Sequence, residues 1–201
     1  MATVPWWDEA KKSLADDPHL GPIIARYDDV PLQNISTLFE TLARSIVGQQ
    51  VSVASADAVW GRLMNLIGSP KAERIRTASD EALRATGLSR SKVSYLRALC
   101  DARDELEGVD WGAMSDDAIM KHLTRIRGIG PWTAEMAMIF ALGRPDVLPL
   151  GDIGLIRAVE RIEGRSMDRA EVAAFAGSWR PWRTAATWYL WRTIDAEPVQ
   201  Y

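Results

Sequence analysis

The stretch that decides the fold is LTRIRGIGPWTA, residues 123–134. Apolar residues at helical spacing precede and follow its Gly-Ile-Gly turn, so the pattern predicts a helix-hairpin-helix over residues 118–142. Gly130 is the expected N-cap of the second helix. Pro131 then takes the first helical position, where a proline costs no backbone hydrogen bond.

The same turn predicts a site for an anion. Glycine lets the backbone approach a ligand closely, and the N-terminus of a helix attracts negative charge. Because Arg125 and Arg127 lie beside the glycines, the expected ligand is a phosphate of a nucleic-acid backbone. A Gly-x-Gly tripeptide is also common in plain turns between helices, and the turn alone does not separate the two interpretations.

The composition is that of an ordinary globular protein. Of the 201 residues, 47% are hydrophobic and 25% are charged, and we expect one domain over residues 1–201. The chain has no apolar run of the roughly 20 residues that a membrane helix needs, and its first residues lack the pattern of a secretory signal. We therefore expect a cytoplasmic protein with no membrane partner.

The net charge and the number of cysteines limit which partners and cofactors the protein can have. The net charge is -3, but basic residues cluster at 121–127, 157–169 and 180–192, which predicts a modest basic stripe. Cys100 is the only cysteine, which excludes an internal disulfide and an iron–sulfur cluster held by several thiolates. We expect no cofactor.

The rest of the sequence predicts an all-α fold, since no stretch alternates apolar and polar residues for long enough to indicate a strand. Apolar faces at helical spacing run through residues 38–47 and 56–67, and Gly68 ends the second. A last helix is predicted over residues 181–193, with Pro181 in its first turn. The expected N-caps are Ser36, Ser52, Ser79, Ser89, Ser115 and Asp168.

Four blocks of the sequence resemble the helix-hairpin-helix DNA glycosylase superfamily, most closely the 3-methyladenine DNA glycosylase II family. The blocks are SIVGQQVSVA (45–54), GIGPWTAE (128–135), PLGD (149–152) and WRPWR (179–183). Larger members of the family carry an additional N-terminal β-rich domain, for which this chain is too short.

The resemblance implies two helical lobes, residues 38–144 and residues 1–37 with 145–201, and an active site in the cleft between them. It implies a nucleoid-associated, bacterial-type enzyme of base-excision repair. We also expect a monomer, since the sequence has no heptad or interface pattern that indicates otherwise. Its substrate would be double-stranded DNA containing alkylated purines such as 3-methyladenine and 7-methylguanine. The enzyme would flip the damaged base out and hydrolyse its N-glycosidic bond.

Asp152 matches the catalytic aspartate of that family. Cleavage of the glycosidic bond builds positive charge on the deoxyribose, and an ionised carboxylate stabilises this charge and orients or deprotonates the attacking water. Taken alone, an aspartate before Ile153 is also an ordinary helix N-cap, and the two roles are compatible.

Trp132 stands where strand-nicking members of the superfamily carry the lysine that forms a Schiff base with the sugar. No lysine follows Lys121, and an indole is not an amine nucleophile, so the resemblance implies a monofunctional enzyme without AP-lyase activity. The resemblance also places Trp132 and Trp191 in the base pocket, where indole faces attract a cationic base. For Trp191 a place in the core is an open alternative.

The resemblance places Gln50 in the gap that the flipped nucleotide leaves, as a wedge, although some relatives have leucine there. A polar surface turn is the alternative, and Gln49 is expected to make structural hydrogen bonds. The implied DNA contacts are Gln50, Arg127, Gly128, Ile129 and Gly130. Further candidates for phosphate contacts are Arg157, Arg161, Arg180 and Arg183. By the same resemblance, the carbonyls of Thr124, Ile126 and Gly128 would hold a structural Na⁺ or K⁺.

Two rival functions remain open at this point. A non-catalytic helix-hairpin-helix DNA-binding module would explain the turn but would leave Asp152 without a role. A glycosylase for another base, such as uracil, hypoxanthine or an oxidised purine, would share every motif quoted above.

Overall fold

The computed structural model describes residues 2–27, 31–34 and 36–194, and within them the all-α prediction is confirmed. The predicted 1–201 domain also includes residues 1, 28–30, 35 and 195–201, which lie outside this description. In the described part of the chain the α-helices are α1 (Trp7–Leu14), α2 (Leu20–Arg26), α3 (Leu38–Gly48), α4 (Val53–Ile67), α5 (Ala72–Thr77), α6 (Asp80–Ala85), α7 (Arg90–Asp101), α8 (Arg103–Glu107), α9 (Asp116–Leu123), α10 (Pro131–Phe140), α11 (Ile153–Glu163), α12 (Arg169–Phe175) and α13 (Arg183–Ile194).

The chain divides into two compact units. Unit 1 combines the described residues up to 34 with those from 138 to 194, and unit 2 contains Ser36–Ala137. The predicted lobes, 38–144 and the remainder, and the cleft expected between them stay predictions.

Most helices of unit 2 begin where the sequence predicts. In four of them the hydroxyl of the N-cap serine accepts a hydrogen bond from the backbone N–H three residues later. These serines are Ser52, Ser79, Ser89 and Ser115. The prediction for α3 is wrong by one residue, because its N-cap is Thr37 and not Ser36. The Thr37 hydroxyl caps α3 by accepting a hydrogen bond from the backbone N of Glu40 at 3.2 Å.

The core of unit 2 forms where α3 packs against α4 and α7. Leu42 and Ile46 of α3, Leu63 of α4 and Leu96 of α7 are fully buried. Each such side chain contributes about 1.5–3 kcal/mol on burial. This core fixes the end of α3, from which the chain turns into α4.

Unit 1 is centred on α13, which packs on α2 and α11. Every side chain of α13 in residues 184–190 is buried, so the helix is enclosed on all sides. The helix begins at Arg183, two residues after the predicted start at Pro181. The reason is that the backbone N–H of Trp182 donates to the carbonyl of Trp179 at 2.7 Å, which makes these residues part of the preceding turn.

In unit 1 the sequence predicts the capping box of α12 but not a short β-ladder. Asp168 forms the expected capping box with Glu171 at the start of α12. A short ladder was not expected: β1 (Ala2–Thr3) pairs antiparallel with β2 (Gln33–Asn34). Two-residue strands are too short to produce an alternating pattern. In the ranges that the structure describes, no helix is long and apolar enough to cross a membrane.

Candidate active site

Asp152 lies at the N-terminus of α11, directly after the turn that begins at Pro149. Its backbone N–H donates to the carbonyl of Pro149 at 2.9 Å, and its Oδ1 accepts from the backbone N of Leu155 at 2.8 Å. Asp152 is therefore the N-cap of α11, and its side chain is half-buried. The carboxylate is held at the helix end where the macrodipole favours negative charge.

Trp191 in α13 contacts the same carboxylate. Its indole Nε1 donates to Oδ1 of Asp152 at 3.0 Å. The indole also stacks on Phe140, with ring centroids 5.9 Å apart and an angle of 9° between the planes. Trp191 is half-buried, and its expected place in a base pocket stays a prediction. The hydrogen bond and the stacking fix the indole of Trp191 beside the carboxylate of Asp152.

Gly154 completes this site, and sequence reasoning missed it. A Cβ atom at Gly154 would lie 3.0 Å from Oδ1 of Asp152 and 3.4 Å from Cδ1 of Trp191. A side chain here would therefore press on both members of the hydrogen bond. The only signal in the sequence is a glycine two residues after an aspartate, in the first turn of a helix, where alanine is normally better tolerated.

The hairpin joins α9 to α10 as predicted. The carbonyl of Gly130 accepts the first helical hydrogen bond, from Ala134 N at 3.0 Å, and Pro131 is the first residue of α10. Gly128 has a φ of +91°, and a Cβ atom there would lie 2.1 Å from Cγ of Tyr95. Gly128 is therefore required by the fold itself.

The two other residues of the tripeptide have different surroundings. Ile129 is buried, and its N–H donates to the carbonyl of Ile126 at 3.0 Å, so this amide is already used within the chain. Gly130 is exposed, and a Cβ atom there would meet no described atom within 4 Å. Arg127 is also exposed. These positions leave Gly130 and Arg127 on the surface where a ligand can approach.

Gln50 lies in the turn between α3 and α4. It is exposed and has a φ of +58°, and among the described residues other than glycine only Gln50 has a positive φ. Such a backbone conformation costs about 1–3 kcal/mol and is found at functional turns. The neighbouring Val51 and Val53 are each 44% exposed, so the predicted wedge sits in an apolar surface.

Gln49 has the structural role that its position predicts. Its side-chain Nε2 donates to the carbonyl of Gly128 at 2.9 Å and to Oγ1 of Thr133 at 3.0 Å. Both partners belong to the hairpin, and Thr133 is buried. The turn after α3 is thus tied to the hairpin within unit 2.

Trp132 is half-buried in the first turn of α10. It belongs to unit 2, whereas Asp152 and Trp191 belong to unit 1. The base pocket that Trp132 and Trp191 are expected to share stays a prediction.

The other predicted DNA contacts fall into two groups. Arg180 and Arg183 both bind the carboxylate of Asp146, and Arg161 donates to the carbonyl of Thr193. These three arginines therefore have partners within unit 1. Arg157 is exposed on α11.

Two of the three predicted cation ligands already accept hydrogen bonds. The Ile126 carbonyl accepts from Ile129, and the Gly128 carbonyl accepts from Gln49. A carbonyl oxygen has a second lone pair, so the donor type still fits a monovalent cation. Among the described residues, no group of three or more acidic, histidine or cysteine side chains could hold a metal ion.

The glycine hairpin between α9 and α10 on an all-α scaffold defines a helix-hairpin-helix fold. The family comparison agrees. The model of the HhH-GPD superfamily of base excision DNA repair proteins matches residues 43–184, and the chain belongs to this superfamily.

Similar proteins include a DNA-3-methyladenine glycosylase of Schizosaccharomyces pombe. This relative is 32% identical over 169 residues, which cover 77% of this chain and 72% of the relative. The structure of a 3-methyladenine DNA glycosylase of the same yeast in complex with abasic DNA is similar with a TM-score of 0.81 and 27% identity, covering 92% of this chain and 96% of that one. A DNA-3-methyladenine glycosidase of Bacillus halodurans has a TM-score of 0.76 and 36% identity, covering 92% and 88%.

Proposed function

We propose that this protein is a monofunctional DNA glycosylase that hydrolyses the N-glycosidic bond of alkylated purines in duplex DNA and leaves an abasic site. The observation that carries the proposal is the environment of Asp152. Its carboxylate caps α11 and accepts the indole N–H of Trp191 in a chain that belongs to a base-excision superfamily. The relatives named 3-methyladenine glycosylases support the substrate class.

The reaction needs a fixed negative charge beside the sugar. As the bond to the base breaks, positive charge develops on C1′ and the ring oxygen of the deoxyribose. The Asp152 carboxylate stabilises this charge, and its second function is to orient or deprotonate the water that adds to C1′. The bonds from Leu155 and Trp191 hold the carboxylate before substrate binds, so little reorganisation is needed during the reaction.

The proposal excludes strand cleavage for a chemical reason. A lyase of this superfamily needs an amine that attacks the sugar, and the position two residues after Gly130 holds Trp132 instead. Water is then the nucleophile, and the product is an intact strand with an abasic site.

The preference for alkylated purines follows from charge. Purines methylated at N3 or N7 are cationic, and the face of an indole attracts a cation by about 0.5–2 kcal/mol. Trp132 and Trp191 are the indoles we propose for this contact. A cationic base is also a good leaving group, so a single carboxylate supplies sufficient catalysis.

In this proposal DNA is held by the hairpin and by the turn between α3 and α4, residues 49–52, which we call the wedge turn. Gly130 and Arg127 contact a backbone phosphate, and Gln50 fills the space of the flipped nucleotide. The carbonyls of Thr124, Ile126 and Gly128 would hold a Na⁺ or K⁺, which would supply positive charge near that phosphate. The enzyme acts as a monomer.

The test is base release from duplex DNA treated with a methylating agent. Released bases are separated by chromatography, and the strands are run on a denaturing gel with and without alkaline treatment. We expect 3-methyladenine or 7-methylguanine in solution and strand breaks only after alkali. DNA binding without release of any base would contradict the enzymatic proposal. Release of uracil, hypoxanthine or an oxidised purine from duplexes that carry those bases, with no release of a methylated purine, would contradict the substrate class.

A further inference from the structure

The side chain of Gln49 connects two parts of unit 2 that are far apart in sequence. From the end of α3 it reaches the Gly128 carbonyl and the Thr133 hydroxyl, 79 and 84 residues along the chain. Gln49 is half-buried, and an unsatisfied amide there would cost about 1–3 kcal/mol. This pair of hydrogen bonds, which we call the Gln49 clamp, is therefore a specific link between the wedge turn and the hairpin.

The clamp lies directly beside a strained residue. Gln50, the next residue, has a φ of +58°, and a strained conformation persists only where its surroundings fix it. Helix α7 fixes the same region from another side. Lys92 Nζ donates to the carbonyl of Val47 at 2.7 Å, and Tyr95 packs against Gly128. The end of α3 and the hairpin thus each contact α7, and Gln49 joins the turn after α3 to the hairpin.

We propose that Gln49 is a positioning residue for base flipping. Its two hydrogen bonds to the hairpin fix the position of the neighbouring Gln50 relative to the hairpin. This inference rests on the proposed function. When a phosphate binds the hairpin, the clamp holds Gln50 at a fixed place relative to the bound backbone, so the wedge enters the base stack at one nucleotide. Without the clamp, DNA still binds the hairpin, but Gln50 is no longer held in its left-handed conformation.

The test is a double-mutant cycle with Gln49→Leu and Gln50→Ala. Single-turnover base release is measured on duplex DNA with one 7-methylguanine opposite cytosine. We expect Gln49→Leu to lower the rate about 10-fold, the size expected when two hydrogen bonds are lost. In the Gln50→Ala background the same change lowers the rate by no more than about twofold, because its effect passes through Gln50.

A second substrate separates flipping from chemistry. When the lesion faces an abasic analogue it leaves the stack easily, and we expect Gln49→Leu to lose much less activity there. A 2-aminopurine beside the lesion reports the unstacking directly, and its fluorescence increase on binding becomes smaller in Gln49→Leu. Thr133→Val, which removes one acceptor of the clamp, lowers the rate on paired DNA, and Thr133→Ser lowers it less.

The outcomes distinguish this inference from the proposed function. An equal loss in both Gln50 backgrounds, or an equal loss on both substrates, would overturn the positioning role. If Gln49→Leu fails to fold, the Thr133 pair decides: equal rates for Thr133→Val and Thr133→Ser would overturn the clamp. No base release by the wild-type protein would contradict the proposed function, whereas the fluorescence change at the wedge would still test the clamp.

Discussion

The indole Nε1 of Trp191 donates a 3.0 Å hydrogen bond to the Asp152 oxygen that also caps α11. The indole is held by stacking on Phe140. One side chain thus connects the enclosed helix α13 to the carboxylate at the start of α11.

The first prediction concerns this hydrogen bond. Trp191→Phe keeps an aromatic ring beside Phe140 but removes the N–H donor. A hydrogen bond to a charged group contributes about 1.5–3 kcal/mol, so we expect kcat for base release to fall about 10-fold with little change in KM. As a control, Trp111→Phe removes an indole bond to the Leu106 carbonyl in unit 2 and leaves kcat unchanged. A higher KM with kcat unchanged in Trp191→Phe would show that Trp191 only binds the base.

The second prediction concerns Gly154. Gly154→Ala places a methyl group 3.0 Å from the Asp152 carboxylate, and a displacement of this kind lowers the single-turnover rate about 10- to 100-fold. The matched control is Gly61→Ala in α4, where the methyl group meets no described atom within 4 Å. It leaves the rate unchanged and raises the free energy of unfolding by about 0.5–1 kcal/mol. A fully active Gly154→Ala enzyme would show that the geometry around Asp152 is not critical.

The third prediction separates the two glycines of the hairpin. Gly128→Ala forces a side chain onto Tyr95 at a φ of +91°, so we expect the free energy of unfolding to fall by about 1–3 kcal/mol. Gly130→Ala meets nothing within 4 Å in the described chain and lowers the free energy of unfolding by no more than about 1 kcal/mol, because alanine is a poorer N-cap than glycine. Because its methyl group occupies the approach path of a phosphate, it weakens DNA binding. Urea unfolding and fluorescence anisotropy measure the two effects, and wild-type affinity of Gly130→Ala would place the phosphate elsewhere.

The fourth prediction concerns Arg127. If Arg127 contacts a phosphate, Arg127→Ala reduces the slope of log K against log salt for duplex binding by about 1. Arg74→Ala removes another exposed arginine, on α5, and leaves the slope unchanged. A slope equal to that of the wild type in Arg127→Ala would exclude the contact.

The fifth prediction concerns Cys100. Burial raises the pKa of its thiol to about 11, from 9.0. The folded protein therefore keeps the thiol protonated at pH 8, and a disulfide reagent reacts with it only after unfolding in urea. Between pH 9 and pH 11 the unfolded thiol loses its proton first, so this group lowers the stability of the fold as the pH rises through that range. Rapid labelling of the folded protein at pH 8 would contradict this.

Local patterns allowed much of this fold to be predicted from the sequence. Serine caps, the Asp168 capping box and the Gly130-Pro131 helix start depend on residues within a few positions of one another. The error at the start of α3 is also local, since Ser36 and Thr37 are adjacent and both are good caps, and in the structure the Thr37 hydroxyl accepts from the backbone N of Glu40.

The contacts that build the candidate site were harder to predict because they join distant residues. Three contacts depend on which helices pack together: the hydrogen bond between Trp191 and Asp152, the close approach of Tyr95 to Gly128, and the Gln49 clamp. The resemblance identified Asp152 and Trp191 individually. It did not indicate that the two side chains form a hydrogen bond.

Base release by Asp152→Asn tests the central claim most directly. Asparagine caps a helix as well as aspartate does, and its carbonyl oxygen still accepts the hydrogen bonds of Leu155 and Trp191, so the change removes the charge and little else. We expect unchanged thermal stability, retained binding to methylated duplex DNA, and a loss of 3-methyladenine and 7-methylguanine release of at least about 100-fold. Release at the wild-type rate by the folded Asp152→Asn protein would contradict the assignment of Asp152 as the catalytic carboxylate.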